Sequence, residues 1–282
     1  MDIVIPVVLN AATLISILML VALGLAIIFG LMNVINMAHG EFVTIGAFTL
    51  AFVQRSGGSF WLALALAPLV GAAAGYLLER LVVQHLYRRP LDTILATWGI
   101  SLALQQLLQL VFGAAPQYVA APVEGSLVFA GTSYPAYRLI LIAFAFVVFA
   151  AAYLVFRRTS FGLDLRTVIE NRDMAEALGV DTRRTYALAF AAGAALAAFA
   201  GVLIAPLTNV LAQMGGNYLA RSFFVVIVGG AGSIAGVAAG SGLVGGLETL
   251  LNYQLPGTVA QALVLVGAVI VVRFRPHGLV PS

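Results

Sequence analysis

Apolar residues run along this chain in long blocks, interrupted by short polar stretches rich in glycine and proline. The blocks fall at about 8–30, 41–54, 60–82, 93–113, 138–156, 184–206, 219–233, 234–252 and 257–273. A hydrocarbon core ~30 Å thick is crossed by ~20 apolar residues of helix. Most of the blocks have that length, so the pattern predicts membrane-spanning helices. Two blocks, 41–54 and 219–233, are short for a crossing and read as half-helices or re-entrant segments, which leaves the count at eight or nine. The expected architecture is an all-α, polytopic integral membrane bundle. It forms one domain over residues 1–282, with broken or re-entrant helices near residues 40 and 232.

Composition narrows the function. Apolar residues make up 62% of the chain and charged ones 9%, with a mean hydropathy of +1.06. A soluble domain carries about 25% charged residues, so this surface has to face a lipid bilayer. Cysteine is absent, which excludes disulfides, thiol catalysis and cysteine-ligated metals. Lysine is absent too, and all 14 basic residues are arginine. A Walker A phosphate loop needs a lysine to reach the nucleotide phosphates, so ATP hydrolysis by that route belongs to a partner. The net charge of +3 does not point to nucleic acid, because the arginines concentrate in loops beside the spans. The N-terminus has no basic stretch and no small-residue cleavage site, and reads as the start of a retained helix.

Arginine placement sets the orientation. Arg80, Arg88 and Arg89 fall in one loop, Arg157 to Arg184 in the longest polar segment, and Arg273 and Arg275 near the C-terminus. These regions are expected on the cytoplasmic side. Segment 114–137 has prolines but no arginine, and is expected outside. An odd number of crossings must then join residue 206 to residue 273, and the N-terminus lies outside.

Three segments carry candidate function. The cytoplasmic loop 157–184 holds six arginines and five acids, where a loop needed only for topology would carry arginines alone. Val168, Ile169, Met174, Ala175 and Leu178 can line one side of a short helix, with Gly179 as its stop and Asp181 or Thr182 capping the next one. Such a helix either docks a soluble partner or lies on lipid headgroups, and its acids disfavour the lipid. In the second segment Asn33, Asn36, His39 and Glu41 interrupt two apolar runs. Polar groups at membrane depth usually face an interior path, and Asn33, Asn36 and His39 recur every third residue as a helical stripe. The alternative is an interfacial anchor at a helix end. The third segment, with Gly229, Gly230, Gly232 and Ser233, permits either close helix packing or a broken helix lining a cavity. The paired interruptions near residues 40 and 232 suggest a midplane path between two repeats. No second histidine near His39 supports a metal site, and no acid, base and nucleophile come together as in an enzyme.

The same segments resemble a known family. The stretches GLAIIFGLMNVINMAHGEFVTIGAF (24–48), ENRDMAEALGVDTRRTYALAFAAGAALAAFAGVL (170–203), SFFVVIVGGAGSIAGVAAGSGLVGGLE (222–248) and RFRPHGLV (273–280) are similar to the permeases of bacterial branched-chain amino acid ABC importers, of the shorter, LivH-like type. The resemblance implies a non-catalytic permease in the bacterial inner membrane. It implies a second permease as a heterodimer partner, two ATP-binding subunits that hold ATP and Mg, and an extracytoplasmic solute-binding protein. It places ATPase coupling around Arg166, Glu170, Asn171, Arg172, Asp173, Met174, Ala175, Leu178 and Gly179. The translocation path is then expected along Asn33, Asn36, His39, Glu41, Gly229, Gly230, Gly232 and Ser233. The stretch 88–113 resembles the related urea-importer permeases, which makes urea or a short amide the alternative solute. An ion-coupled secondary transporter is the alternative of another class, with His39, Glu41 and Glu248 as its candidate groups.

Overall fold

The computed structural model describes residues 4–32, 35–87, 89–129, 132–230, 232–275 and 278–280. Among these, eleven helices and one two-stranded hairpin form in chain order: α1 Val4–Met32, α2 His39–Arg55, α3 Phe60–Leu81, α4 Pro90–Phe112, β1 Ser126–Phe129, β2 Thr132–Pro135, α5 Ala136–Arg158, α6 Ser160–Glu170, α7 Arg172–Ala177, α8 Thr182–Ile204, α9 Met214–Gly229, α10 Ile234–Asn252 and α11 Gly257–Phe274. Seven of them (α1, α3, α4, α5, α8, α10 and α11) are long and apolar enough to cross a membrane. The chain is therefore a multi-pass helical membrane protein. The hairpin was not anticipated; it pairs Ser126 with Pro135 and Leu127 with Tyr134 inside the arginine-free segment expected outside.

The helix ends sort into two sets. At one end α1 finishes beside the start of α8, where Tyr186 Oη donates to the Leu31 carbonyl (3.2 Å), and Arg183 donates to Gln84 after α3 (2.8 Å). This end holds α6, α7 and most of the arginines. At the other end the hairpin's Tyr134 donates to the Leu9 carbonyl near the start of α1 (2.8 Å), and Gln54 at the end of α2 holds the Ala120 backbone in the same loop.

Helices α1 and α8 form the centre, and glycine sets how closely they approach. A Cβ on Gly193 would lie 2.6 Å from the Gly24 carbonyl, so the two backbones are in direct contact. This is small-residue packing, the way membrane helices gain contact where lipid removes the hydrophobic drive. Around that contact Leu18, Leu20, Leu23, Leu25, Ile28 and Leu203 are fully buried. By contrast α4 and α5 bury only a narrow stripe each and expose Trp98, Leu102, Phe146 and Val147.

Candidate functional site

Residue His39 starts α2 far from where α1 stops. Its Nε2 donates to the Val21 carbonyl (3.2 Å), a level roughly 16 Å back along α1 from Met32 at ~1.5 Å per residue. The chain therefore starts α2 at mid-bundle, well back from the end of α1. The described part of the link between the two helices is not helical. Asn36 folds its Oδ1 onto the Ala38 N–H (3.0 Å), and the Met37 N–H donates to Thr97 Oγ1 of α4 (3.1 Å). The expected helical stripe through Asn36 and His39 is thus corrected: the polar residues make a turn, because their side chains replace the missing backbone hydrogen bonds. Asn33 lies outside the described residues.

The partner of this break is not the one the sequence suggested. Helix α9 also starts inside the bundle, and its Gly215 rests on Gly40 of α2. A Cβ on Gly40 would fall 2.6 Å from the Gly215 carbonyl, and the Gly215 N–H donates to Thr44 Oγ1 (3.1 Å). Two short helices, 17 and 16 residues, thus meet at their N-termini and run to opposite ends of the molecule. Both N-terminal dipoles point into the same region. Non-helical backbone at such depth is tolerated only where protein or a polar cavity surrounds it.

A cleft of about 410 Å³ opens beside this junction, lined by Glu41 together with Trp98, Ser101 and Gln105 of α4 and Leu219 and Phe223 of α9. Glu41 is 1% exposed, and its Oε1 accepts from Ser101 Oγ (2.8 Å) and Gln105 Nε2 (2.8 Å). Among the described residues its Oε2, Asn36 Nδ2 and His39 Nδ1 have no hydrogen-bond partner. Ser101 and Gln105 were missed from sequence, although Thr93, Thr97, Ser101 and Gln105 recur every fourth residue and so mark one polar stripe on an apolar helix.

Gly229, Gly230, Gly232 and Ser233 lie elsewhere. They turn α9 into α10 at the arginine-rich end, with positive φ at Gly230 (117°) and Gly232 (76°) and with Ser233 Oγ capping α10 through the Gly236 N–H (3.0 Å). Gly232 packs on Gly30 near the end of α1, and the tail closes over the turn through Leu279 N–H to Val228 (2.8 Å) and Val280 N–H to Gly229 (3.0 Å). The expected re-entrant break near 232 is therefore a tight interhelical turn. A cleft of about 590 Å³ joins it to Arg166, Ile169 and Glu170 of α6 and Arg157 of α5, so these glycines and Ser233 neighbour α6 and not Glu41.

The segment expected to receive the ATPase is two helices, not one. Asn171 adopts an extended conformation (φ −156°), ends α6 and caps α7 by accepting the Met174 N–H (3.0 Å). Its other end follows the sequence reading: Gly179 has φ 85°, Val180 N–H reaches the Ala175 carbonyl (3.0 Å), and Asp181 accepts the Arg184 N–H to start α8 (2.9 Å). That is the glycine stop expected of a helix C-terminus. The break splits the apolar set. Val168 and Ala175 are buried, whereas Met174 and Leu178 are 56% and 70% exposed beside exposed Glu170 and Asp173. Arg172 ion-pairs with Glu176 (3.0 Å) and stacks over Tyr186 (5.4 Å), which fixes α7 to α8.

One part-buried ion pair was also missed. Arg221 of α9 meets Glu248 of α10 (3.1 Å) inside the bundle. A lone arginine within an apolar block requires such a partner, and that was the available signal.

Comparison with known proteins gives a consistent result. Residues 7–273 match the family model described as branched-chain amino acid transport system / permease component. The chain is 30% identical to the high-affinity branched-chain amino acid transport system permease protein BraD of Pseudomonas aeruginosa, over 96% of this chain and 93% of that protein. It is 27% identical to the LivH permease of the corresponding Escherichia coli system (96% and 93%) and 27% identical to its LivM permease (96% and 69%). No solved structure matches.

Proposed function

The chain belongs to the family of branched-chain amino acid transport permease components, and from that premise we propose that it is one permease subunit of an ATP-binding-cassette importer carrying amino acids, branched-chain ones first, across the bacterial inner membrane. The observation that carries the reading is the junction of α2 and α9 at mid-bundle, with Glu41, Ser101 and Gln105 on a neighbouring cleft. Its volume falls in the ~300–1,000 Å³ range of small-molecule sites. Counting α2 and α9 with the links that precede them as passages, the chain crosses nine times, with its N-terminus outside and α6 and α7 in the cytoplasm.

The chain hydrolyses nothing itself; two ATP-binding subunits supply the work, with ATP and Mg on their side. The exposed Met174, Leu178, Glu170 and Asp173 form the surface that receives them. A second, LivM-like permease completes a heterodimer, and a soluble binding protein delivers solute from outside. Urea or a short amide is the second reading, favoured by the hydrogen-bonding pair Ser101 and Gln105 in the stretch that resembles urea permeases.

Uptake into proteoliposomes holding the assembled importer separates the two. ATP-dependent accumulation of labelled leucine, competed by valine and unaffected by urea, is the expected result. Accumulation of urea with no uptake of leucine overturns the amino-acid reading.

A further inference from the structure

A third cleft, of about 390 Å³, lies on α9 around Arg221, on the side of the helix away from the Glu41 cleft. It is lined by Thr208, Asn209 and Gln213 of the link before α9, by Asn217 and Tyr218 of α9, and by Gln261 of α11. Leu211 and Met214 complete the wall, so the lining mixes polar and apolar groups. Arg221 stands at its base. Glu248 and Gln261 both take the terminal nitrogen Nη2 (3.1 and 3.4 Å), and among the described residues the buried Nε has no partner. Glu248, the acid beside it, is 3% exposed and its charge is balanced by the 3.1 Å pair with Arg221, whose side chain stays 26% exposed.

Position matters as much as chemistry. The link 208–213 belongs to the hairpin end, where Val210 pairs with Gln117 of the outer loop (2.9 Å). Between this cleft and the Glu41 cleft, Gln213 before α9 and Gly216, Asn217 and Ala220 on α9 are exposed, and Gly216 has open space around it.

We propose that the Arg221 cleft is an outward-facing binding station for the carboxylate of the transported solute. A part-exposed guanidinium that shares a cleft with the side-chain amides of Asn209, Gln213 and Asn217 can bind a carboxylate through charge-assisted hydrogen bonds, and a neutral amide gains much less there. The inference rests on the amino-acid reading and deepens it, because it assigns the end of the solute that this chain recognises.

The absence of cysteine from the sequence permits a direct test in the assembled importer. Asn217→Cys is exposed to a membrane-impermeant thiol reagent added outside, with isocaproate or its uncharged amide as the probe and no ATP present. Isocaproate at about twice its dissociation constant is expected to slow labelling roughly threefold. The amide leaves the rate unchanged, and protection disappears when Arg221→Gln is combined with Glu248→Gln. The double change avoids a lone buried charge that would unfold the chain. A cysteine that does not react from outside, equal protection by both probes, or protection that survives the loss of Arg221 overturns the proposal. Because labelling needs no transport, a failed leucine uptake assay does not decide it, and a failed protection assay does not decide the uptake reading.

Discussion

Gly40 and Gly215 carry more of this molecule's design than any charged residue. Each leaves the space that the other's backbone fills, so a side chain at either position must push two helix starts apart at the depth where α2 and α9 meet. Gly215→Val is expected to lower the yield of folded protein, since overpacking costs about 1–3 kcal/mol. Size-exclusion of the detergent-solubilised chain reads this directly. Glu41 separates fold from function. Glu41→Ala strands Ser101 and Gln105, at roughly 1–3 kcal/mol per unsatisfied group, whereas Glu41→Gln keeps an acceptor for them. The glutamine variant is therefore expected to insert at the native level and to transport at least about tenfold more slowly, the effect of ~1.4 kcal/mol. Native transport by it would return Glu41 to a purely structural role.

At the scale of elements, α7 was largely legible and the second mid-bundle break was not. The stop at Gly179 and the cap at Asp181 follow from local rules that need no tertiary information, and both are present. The kink at Asn171 was hidden because the apolar residues on either side of it suit a single amphipathic helix. Only packing against α8 turns Ala175 inward and Met174 outward. The break near residue 40 was visible from its polar residues, although its shape was misread as helical. Its partner was sought at 229–233, where glycines are densest, yet Gly215 makes the contact. Density of glycine reports conformational freedom, not depth in the bundle. If α7 receives an ATP-binding partner through its exposed apolar pair, then Met174→Asp with Leu178→Asp should reduce uptake at least about tenfold, with unchanged membrane insertion. Charge reversal at Glu170 and Asp173 should act in the same direction, scored by co-purification of the ATP-binding subunits.

Across the whole molecule, two short helices starting inside the bundle sit among seven that are long enough to span it. Their starts meet centrally and their ends diverge, α2 toward the outer loop and α9 toward α6. Contacts run from the arginine-rich end toward α9: α6 packs on the Gly232 turn, and that turn terminates α9. This arrangement suits a subunit driven from outside itself, and the central claim is that the chain has no drive of its own. The most direct measurement compares leucine uptake by proteoliposomes holding this chain alone with uptake by the importer assembled with its second permease, ATP-binding subunits and solute-laden binding protein. The account predicts ATP-dependent accumulation by the assembly and none by the single chain under a proton or sodium gradient. Gradient-driven accumulation by the chain alone would contradict it.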